Sequence, residues 1–409
     1  MREGGGMTKS SKIKRYFSLS RNERYVSLVV CLVSLSVGLI SPYLYVYLRK
    51  IGAGYLSLGW IQLLSNFILA IAYFLSGTLS NYFNGKTIFL MALLCSLLAG
   101  LTFNFALIWY IFVLGLLIGK LGEGFREIST FVVISSSTIP ERRATTFGVV
   151  RTFQYAGAVI APLAGGVVAS SYGMRSVFLL PIPLLILAVI ISYARLKITI
   201  EEKIKEKYMF SLRRIIEVTS INRNITILIV MSFLGQFFME FGNPYYMVFM
   251  KDVLSAPDTM LGLAASAIAV GSLIAGIPSG FASDVMRQRK PFILMNIFIA
   301  AIAVTLTAMA FNPVFIVITY LLFGISNVIG ITATQAYIAD VVSSSMRGNA
   351  FSAILTASWL GGMFSPPIAG ALAETYGLRT PFVINAAGVF LQGFIVWALF
   401  IEGRWKNHT

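Results

Sequence analysis

The second half of the chain repeats the first at an offset of about 204 residues. Glycine, proline, alanine, tyrosine, arginine and phenylalanine recur in both halves at the same spacing. The first copy is Gly157, Pro162, Gly166, Ala169, Tyr172, Gly173, Arg175 and Phe178, and the second is Gly361, Pro366, Gly370, Ala373, Tyr376, Gly377, Arg379 and Phe382. This duplication predicts two similar helical bundles arranged around a shared centre.

The composition indicates that lipid surrounds these bundles. The chain is 57% hydrophobic and 12% charged, with a mean hydropathy of +0.82. A soluble domain cannot hide that much apolar surface, so the lipid bilayer is the expected solvent. The two cysteines, Cys31 and Cys95, lie in apolar runs, and the single histidine, His408, lies in a polar tail. We therefore predict no disulfide framework, no metal site and no cofactor, and any proton chemistry must use carboxylates.

Twelve apolar segments are each long enough to cross ~30 Å of hydrocarbon at ~1.5 Å per residue. Their predicted limits are 25–48, 56–82, 87–106, 108–136, 146–171, 176–197, 224–250, 259–283, 291–311, 313–341, 349–374 and 380–402. The predicted fold class is an all-α membrane protein with twelve transmembrane helices in two pseudo-symmetric six-helix bundles. The predicted divisions are a basic tail (1–24), a first bundle (25–197), a charged linker (198–223), a second bundle (224–402) and a short tail (403–409).

The distribution of basic residues predicts the orientation. If both termini are cytoplasmic, the outer loops contain only Arg49, Lys50, Arg175, Lys251 and Arg379 among the basic residues. The net charge of +16 is then explained by topology and by attraction to anionic lipid headgroups. We therefore expect a multi-pass protein of the cell (plasma or inner) membrane, monomeric and with no nucleic-acid partner.

A loop motif occurs in both halves. In the second half it runs from Gly280 through Asp284 to Arg287, and in the first half it begins at Gly77 and has Asn81 in the place of the aspartate. A carboxylate at a helix end can meet the positive N-terminus of a neighbouring helix and so latch one conformation. The alternative for Asp284 is a loop charge retained for topology.

Two further motifs lie inside spans. Span 5 has the glycine–proline run around Pro162 described above, and Pro366 is its counterpart in span 11. Such a run allows close backbone approach and bends a helix, so simple helix packing is as reasonable an interpretation as a coupling role. Span 4 has Lys120 followed by Glu123 and Gly124.

These three motifs together resemble those of the major facilitator superfamily, over essentially the whole chain. The run in span 5 is similar to the motif associated with proton-coupled antiporters. The resemblance implies a secondary transporter that works by alternating access, with spans 1, 4, 7 and 10 lining the cavity. The implied partners are a small-molecule substrate, protons as coupling ion and the lipid bilayer.

Span 4 also contains a charged stripe. Lys120, Glu123, Arg126 and Glu127 share one side of the helix at ~100° per residue, and each costs at least ~2.5–3.5 kcal/mol at the bilayer centre. Counting outward from the connection between spans 4 and 5 places Glu127 level with Arg151. The same count places Glu123 level with Tyr155 and close to Gln154, although Arg151 could also snorkel to the interface.

The second half contributes fewer charges. Gln236, Glu240 and Asn243 form one polar stripe in span 7, and span 10 carries Asn327 and Gln335. Other candidates for the cavity wall are Gln62 and Asn66 in span 2 and Trp359 in span 11, which could equally serve as interhelical hydrogen-bonding or packing residues. The tyrosines near the outer end of span 1 are expected to belong to an aromatic belt; they are Tyr43, Tyr45 and Tyr47.

Two interpretations of the charges remain open at this point. In the first, Glu123 or Glu127 carries a proton, while Lys120 and Arg126 adjust its proton affinity or bind an anionic group of the substrate. In the second, Lys120, Arg126 and Arg151 neutralise Glu123, Glu127 and Glu240 in a structural network.

The direction of transport is also open. The motif of span 5 favours efflux of drugs or metabolites, whereas the dense charge of span 4 favours uptake of a small polar or anionic nutrient. A non-transporting receptor is the alternative from another class. No nucleophile elbow or phosphate-binding loop is present, so an enzyme is not predicted.

Overall fold

The computed structural model describes residues 21–79, 83–137, 143–196, 223–286, 288–342 and 347–401. These ranges are helical except for short connections, and each predicted span overlaps one long helical segment. The predicted linker and both predicted tails lie largely outside them. The segments are numbered in chain order: α1 Arg21–Lys50, α2 Tyr55–Leu79, α3 Gly85–Phe105, α4 Trp109–Ser137, α5 Arg143–Tyr172, α6 Met174–Arg195, α7 Arg223–Asp252, α8 Asp258–Met286, α9 Lys290–Ala308, α10 Val314–Val341, α11 Arg347–Tyr376 and α12 Thr380–Leu399.

Most of these helices can cross a membrane. Within the described ranges, ten segments are long and apolar enough to do so, and the other two long helices are α4 and α11. Helix α4 differs from the ten in carrying the four charged residues of the predicted stripe. The all-helical, multi-pass prediction is therefore confirmed, while a count of twelve membrane crossings stays a prediction.

The first helix of each half is interrupted at the same place. A single 3₁₀ turn occupies Ser41–Tyr43 in α1 and Asn243–Tyr245 in α7. Proline lies near the start of each turn, and because proline lacks an amide hydrogen it cannot continue the α-helical hydrogen-bond ladder. The helix then resumes as Leu44–Lys50 and Tyr246–Asp252. The sequence repeat is thus matched by a repeated local structure.

The helices pair by the same scheme in both halves. In the first half α1 packs against α5 and α6, and α4 packs against α2 and α3. In the second half α7 packs against α11 and α12, and α10 packs against α8 and α9. The halves pack against each other most extensively through two helix pairs, α5 with α8 and α2 with α11. This arrangement is consistent with an approximate two-fold relation between the halves.

One end of the molecule is closed by an apolar core that belongs to both halves. We call it the closed end; it contains the connections 51–54 and 253–257 that follow α1 and α7. Its core includes Tyr43, Tyr245, Phe249 and Phe382, none of which is exposed to solvent. The prediction of an aromatic belt is therefore wrong for Tyr43 and Tyr47, because both rings are packed inside this core.

The closed end is held by two equivalent backbone contacts. A Cβ atom added to Gly262 in α8 would lie 2.1 Å from the carbonyl oxygen of Pro162 in α5. A Cβ atom added to Gly59 in α2 would lie 2.3 Å from the carbonyl oxygen of Pro366 in α11. Only glycine allows helices to approach this closely.

Tyrosines reinforce both contacts in the same way. The Tyr43 hydroxyl donates to the carbonyl oxygen of Asp258 at 3.1 Å, and the Tyr245 hydroxyl donates to that of Tyr55 at 3.1 Å. Each tyrosine thus reaches from the interrupted helix of one half to the first residue of a helix in the other. The closure is therefore pseudo-symmetric in its hydrogen bonds as well as in its packing.

An exposed polar layer covers the closed end. Arg49 forms an ion pair with Asp252 at 3.2 Å, and the Tyr55 hydroxyl donates to the same carboxylate at 3.1 Å. The backbone amide of Leu56 donates to a carboxylate oxygen of Glu374 at 3.0 Å. All three interactions join the two halves. Exposed ion pairs contribute ~0–1 kcal/mol each, so the glycine contacts and the buried core carry most of the closure.

We predict that Gly262→Ala opens the closed end, because the new methyl group cannot coexist with the backbone oxygen of Pro162. Opening of the closed end can be followed by the rate of disulfide formation between two cysteines introduced by Arg49→Cys and Asp252→Cys. The native cysteines are first replaced by serine. Cross-linking should slow several-fold in Gly262→Ala. The matched control is Gly280→Ala in the same helix, where a Cβ atom meets nothing within 4 Å. Equal rates in the two variants would contradict the prediction.

Candidate functional site

The charged stripe of α4 forms two separate ion pairs. Lys120 Nζ lies 2.8 Å from a carboxylate oxygen of Glu123, one turn further along the same helix. Arg151 of α5 lies 3.6 Å from a carboxylate oxygen of Glu127. The predicted level pairing of Glu127 with Arg151 is therefore confirmed. These side chains are only partly buried, with 29–56% of their surface exposed.

Gln154 anchors this region to α1. Its side-chain oxygen accepts a hydrogen bond from Arg151 at 2.7 Å, and its backbone oxygen accepts one from the Ser34 hydroxyl at 2.6 Å. Glu123 was expected close to Gln154, but its carboxylate bonds to Lys120 within α4 instead. Tyr155 is half-buried in α5.

A cavity of about 280 Å³ lies beside these residues, between α1, α4, α5 and α8. Its polar wall includes Ser34, Arg126, Glu127, Thr130, Arg151 and Gln154. Ala265 and Ile268 of α8 complete the wall, so both halves contribute to the cavity. The expectation that spans 1, 4, 7 and 10 line the cavity is met here only by α1 and α4. The other lining residues come from α5 and from α8, which contact each other at Pro162 and Gly262.

A second polar cluster surrounds Glu240 in α7. The carboxylate is buried, and it accepts hydrogen bonds from the side-chain amides of Asn243 at 2.9 Å, Gln236 at 3.0 Å and Gln62 at 3.2 Å. Three N–H donors suit an ionised carboxylate, which is an acceptor only. Among the described residues, the side chains that donate hydrogen bonds to Glu240 are thus amides, not the basic residues of the structural-network alternative.

The Glu240 cluster also joins the two halves. Gln62 belongs to α2, and its side-chain oxygen accepts a hydrogen bond from Tyr45 of α1. The same Gln62 amide donates to Asn66 at 3.1 Å, and the Asn66 amide donates to the carbonyl oxygen of Gly362 at 3.4 Å. That carbonyl lies four residues before Pro366, so the proline leaves it without its helical donor. Asn66 therefore satisfies a backbone group that the sequence motif itself exposes.

The remaining predicted cavity residues lie elsewhere. Asn327 and Gln335 are exposed on α10, and neither lines the 280 Å³ cavity. Trp359 of α11 is half-buried and packs against Tyr73 of α2 with ring centroids 6.4 Å apart. This aromatic pair is another contact between the halves. Of the nine predicted cavity residues, only Gln154 lines this cavity. Four of the others belong instead to the hydrogen-bonded Glu240 cluster; they are Gln62, Asn66, Gln236 and Asn243.

The glycine–proline run of α5 serves packing at two interfaces. A Cβ atom on Gly157 would lie 3.1 Å from backbone atoms of α1, and one on Gly166 would lie 3.0 Å from the Cα atom of Thr259 in α8. Pro162 lines the cavity and supplies the carbonyl oxygen that Gly262 contacts. The predicted close backbone approach is confirmed.

Only part of the loop motif lies within the described residues. Gly77 lies in α2, and Gly280 and Asp284 lie in α8, whereas Asn81 and Arg287 lie outside the described residues. Arg289, which belongs to the basic end of the same motif, donates to Asp340 of α10 at 3.0 Å and to the Ser283 hydroxyl at 2.6 Å. Its counterpart in the first half, Lys86, donates to the carbonyl oxygen of Tyr193 at 2.8 Å. The basic end of the motif therefore fastens helices within each half.

Comparison with known families gives a match over both halves. The model of the Major Facilitator Superfamily matches residues 26–254 and 225–408. Multidrug resistance protein MdtG of Escherichia coli (strain SMS-3-5 / SECEC) is 24% identical over 385 residues, covering 90% of this chain and 91% of that protein.

Solved structures show the same fold. The nucleoside transporter NupG aligns with a TM-score of 0.73 at 15% identity, covering 94% of this chain and 99% of that one. A D-xylose-proton symporter aligns with a TM-score of 0.71 at 16% identity, covering 93% and 98%. Their sequence identity is too low to transfer a substrate, so they support the fold alone.

We predict that Glu240→Gln destabilises the protein by ~1–3 kcal/mol, because a carboxamide turns one of its two acceptor atoms into a donor that faces an N–H group. The measurement is the midpoint of thermal unfolding of the purified chain. Glu374→Gln is the matched control, since this exposed side chain accepts one hydrogen bond and the amide keeps an oxygen for it. A midpoint as high in Glu240→Gln as in the control would argue against three amide donors.

Proposed function

Because the chain belongs to the major facilitator superfamily, we propose that it is a secondary active transporter driven by protons, which exports drugs or metabolites by alternating access. The observation that carries the proposal is the arrangement of the two halves. They close one end through equivalent contacts, and a cavity with ionisable side chains in the first half is bordered by α8 of the second. Rocking of two similar halves about a central site is the expected consequence of such pseudo-symmetry.

The closed end corresponds to the outer side if the distribution of basic residues sets the orientation. Both termini and the linker then lie in the cytoplasm of a cell with the protein in its plasma or inner membrane, and all twelve helices cross. The state described is closed toward the outside. Among the described residues, the hydrogen bonds between the halves lie between the closed end and the middle of the helices. A monomer is sufficient for this mechanism.

The half-exposed ion pairs of α4 provide the proton sites. Glu123 and Glu127 each face a cation, Lys120 and Arg151, and none of these four side chains is fully buried. Protonation of either carboxylate removes the attraction that holds its pair, so the cation becomes free to move or to bind another anion. Proton uptake can thereby be coupled to a change in helix position. Buried Glu240 links α7 to α2 and so connects these events to the contact between the halves.

Efflux is favoured by the similarity to MdtG, whose name describes multidrug resistance. The second candidate is proton-coupled uptake of a small polar or anionic nutrient. It is favoured by the charge density of α4.

We predict that Glu123→Gln and Glu127→Gln abolish or strongly reduce gradient-driven transport, because a carboxamide cannot exchange a proton. Everted membrane vesicles with an imposed pH gradient can be assayed for accumulation of dyes of opposite charge, such as ethidium and fluorescein. Arg195→Gln, at an exposed position of α6 away from both the cavity and the closed end, should transport like the wild type. Undiminished gradient-driven accumulation in both α4 variants would rule out these proton sites.

The direction of transport has its own test. A strain lacking the gene should accumulate a dye or drug that the wild type excludes, if the protein is an exporter. Reintroduction of the wild-type gene should restore exclusion, and the Glu127→Gln gene should not. Loss of growth on a single nutrient, without accumulation of any dye, would support uptake and contradict efflux.

A further inference from the structure

Arg126 is a cation without a partner in the described part of the chain. Lys120 is paired with Glu123 at 2.8 Å and Arg151 with Glu127 at 3.6 Å. Arg126 has no carboxylate within 4.0 Å and no side-chain hydrogen bond among the described residues, and its charge acts on Glu123 only at longer range. An unpaired charge near the middle of a membrane helix is costly, so it is expected to serve a function.

Arg126 lines the 280 Å³ cavity, and the wall of this cavity carries a net positive charge. Its wall contains three charged side chains, Arg126, Arg151 and Glu127, so one positive charge is left over after the ion pair. Gln154 adds a polar group: its side-chain oxygen is occupied by Arg151, and its amide nitrogen has no hydrogen-bond partner among the described residues. The wall therefore offers a spare cation and a spare N–H donor.

The rest of the wall is apolar. Valine, alanine, proline and isoleucine side chains from α1, α5 and α8 surround the polar groups. At about 280 Å³ the cavity is slightly smaller than the ~300–1,000 Å³ typical of ligand pockets, which suits a small ligand. The guanidinium fork of arginine matches the two oxygens of a carboxylate or sulfonate.

We propose that this cavity binds a small amphiphilic organic anion, whose charged group pairs with Arg126 and accepts a hydrogen bond from Gln154. The inference rests on the proposed transport function and names the class of substrate. A cationic substrate fits less well, because the one carboxylate of the wall, Glu127, is already paired with Arg151.

Three probes of similar size test the charge preference. Benzenesulfonate carries a permanent negative charge, benzenesulfonamide is its neutral analogue, and phenyltrimethylammonium is a cation. Isothermal titration of the purified full chain, without any pH gradient, should give a dissociation constant for benzenesulfonate about tenfold or more below that for benzenesulfonamide.

Three variants assign the preference to a residue. Arg126→Gln should remove the preference for the sulfonate, whereas Arg126→Lys, which keeps the charge, should retain at least part of it. Arg195→Gln removes one positive charge at an exposed position of α6 and should leave the preference unchanged. Thermal unfolding of each variant separates a loss of charge from a loss of folding.

Two outcomes overturn the inference: benzenesulfonate binding to the wild type no more tightly than the other probes, or an unaltered preference for it in Arg126→Gln. These results are independent of proton coupling because the titration is done at equilibrium. Transport that survives Glu123→Gln and Glu127→Gln would refute the proton sites and leave the anion site standing. Gradient-driven transport with no Arg126-dependent binding would refute only the anion site.

Discussion

The structure depends on two backbone contacts that are related by the repeat of the chain. Gly262 meets the carbonyl oxygen of Pro162, and Gly59 meets that of Pro366, so each half supplies one glycine and one proline carbonyl. Contacts of this kind hold helices by close packing without ion pairs, and close packing is the main source of helix association in lipid. They can part without leaving a buried charge unpaired, which suits an interface that must open.

The polar residues beneath the closed end form two groups, one that holds helices together and one that can respond to protons or ligands. The Glu240 cluster is buried and nearly saturated with hydrogen bonds, and it ties α2 to α7 and α11. The ion pairs of α4 are more exposed, and they border a cavity that retains an unpaired arginine. A saturated network resists change, whereas a loose one responds to a proton or a ligand. The responsive groups are therefore those on α4 and α5.

Sequence reasoning succeeded where geometry is local or repeated. Counting across one short connection placed Glu127 beside Arg151, and the repeat located both glycine–proline runs, although not the glycines Gly262 and Gly59 that meet them. It failed for contacts between halves: Gln62 and Glu240 are 178 positions apart, and no periodicity in one sequence indicates which helix of the other half a residue will meet. The prediction of an aromatic belt was wrong for Tyr43 and Tyr47, because a tyrosine near a helix end suits a membrane–water interface and a buried core equally well.

The central claim is that the closure is one of two alternating states, and distances between spin labels test it most directly. One pair of labels belongs at the closed end, on Lys50 and Val253, and the other on the motif loops at the opposite end, on Asn84 and Gln288; all four positions are exposed. Double electron–electron resonance in proteoliposomes should show two populations, with the first distance lengthening as the second shortens when the pH is varied. Single, unchanging distances for both pairs would contradict the account.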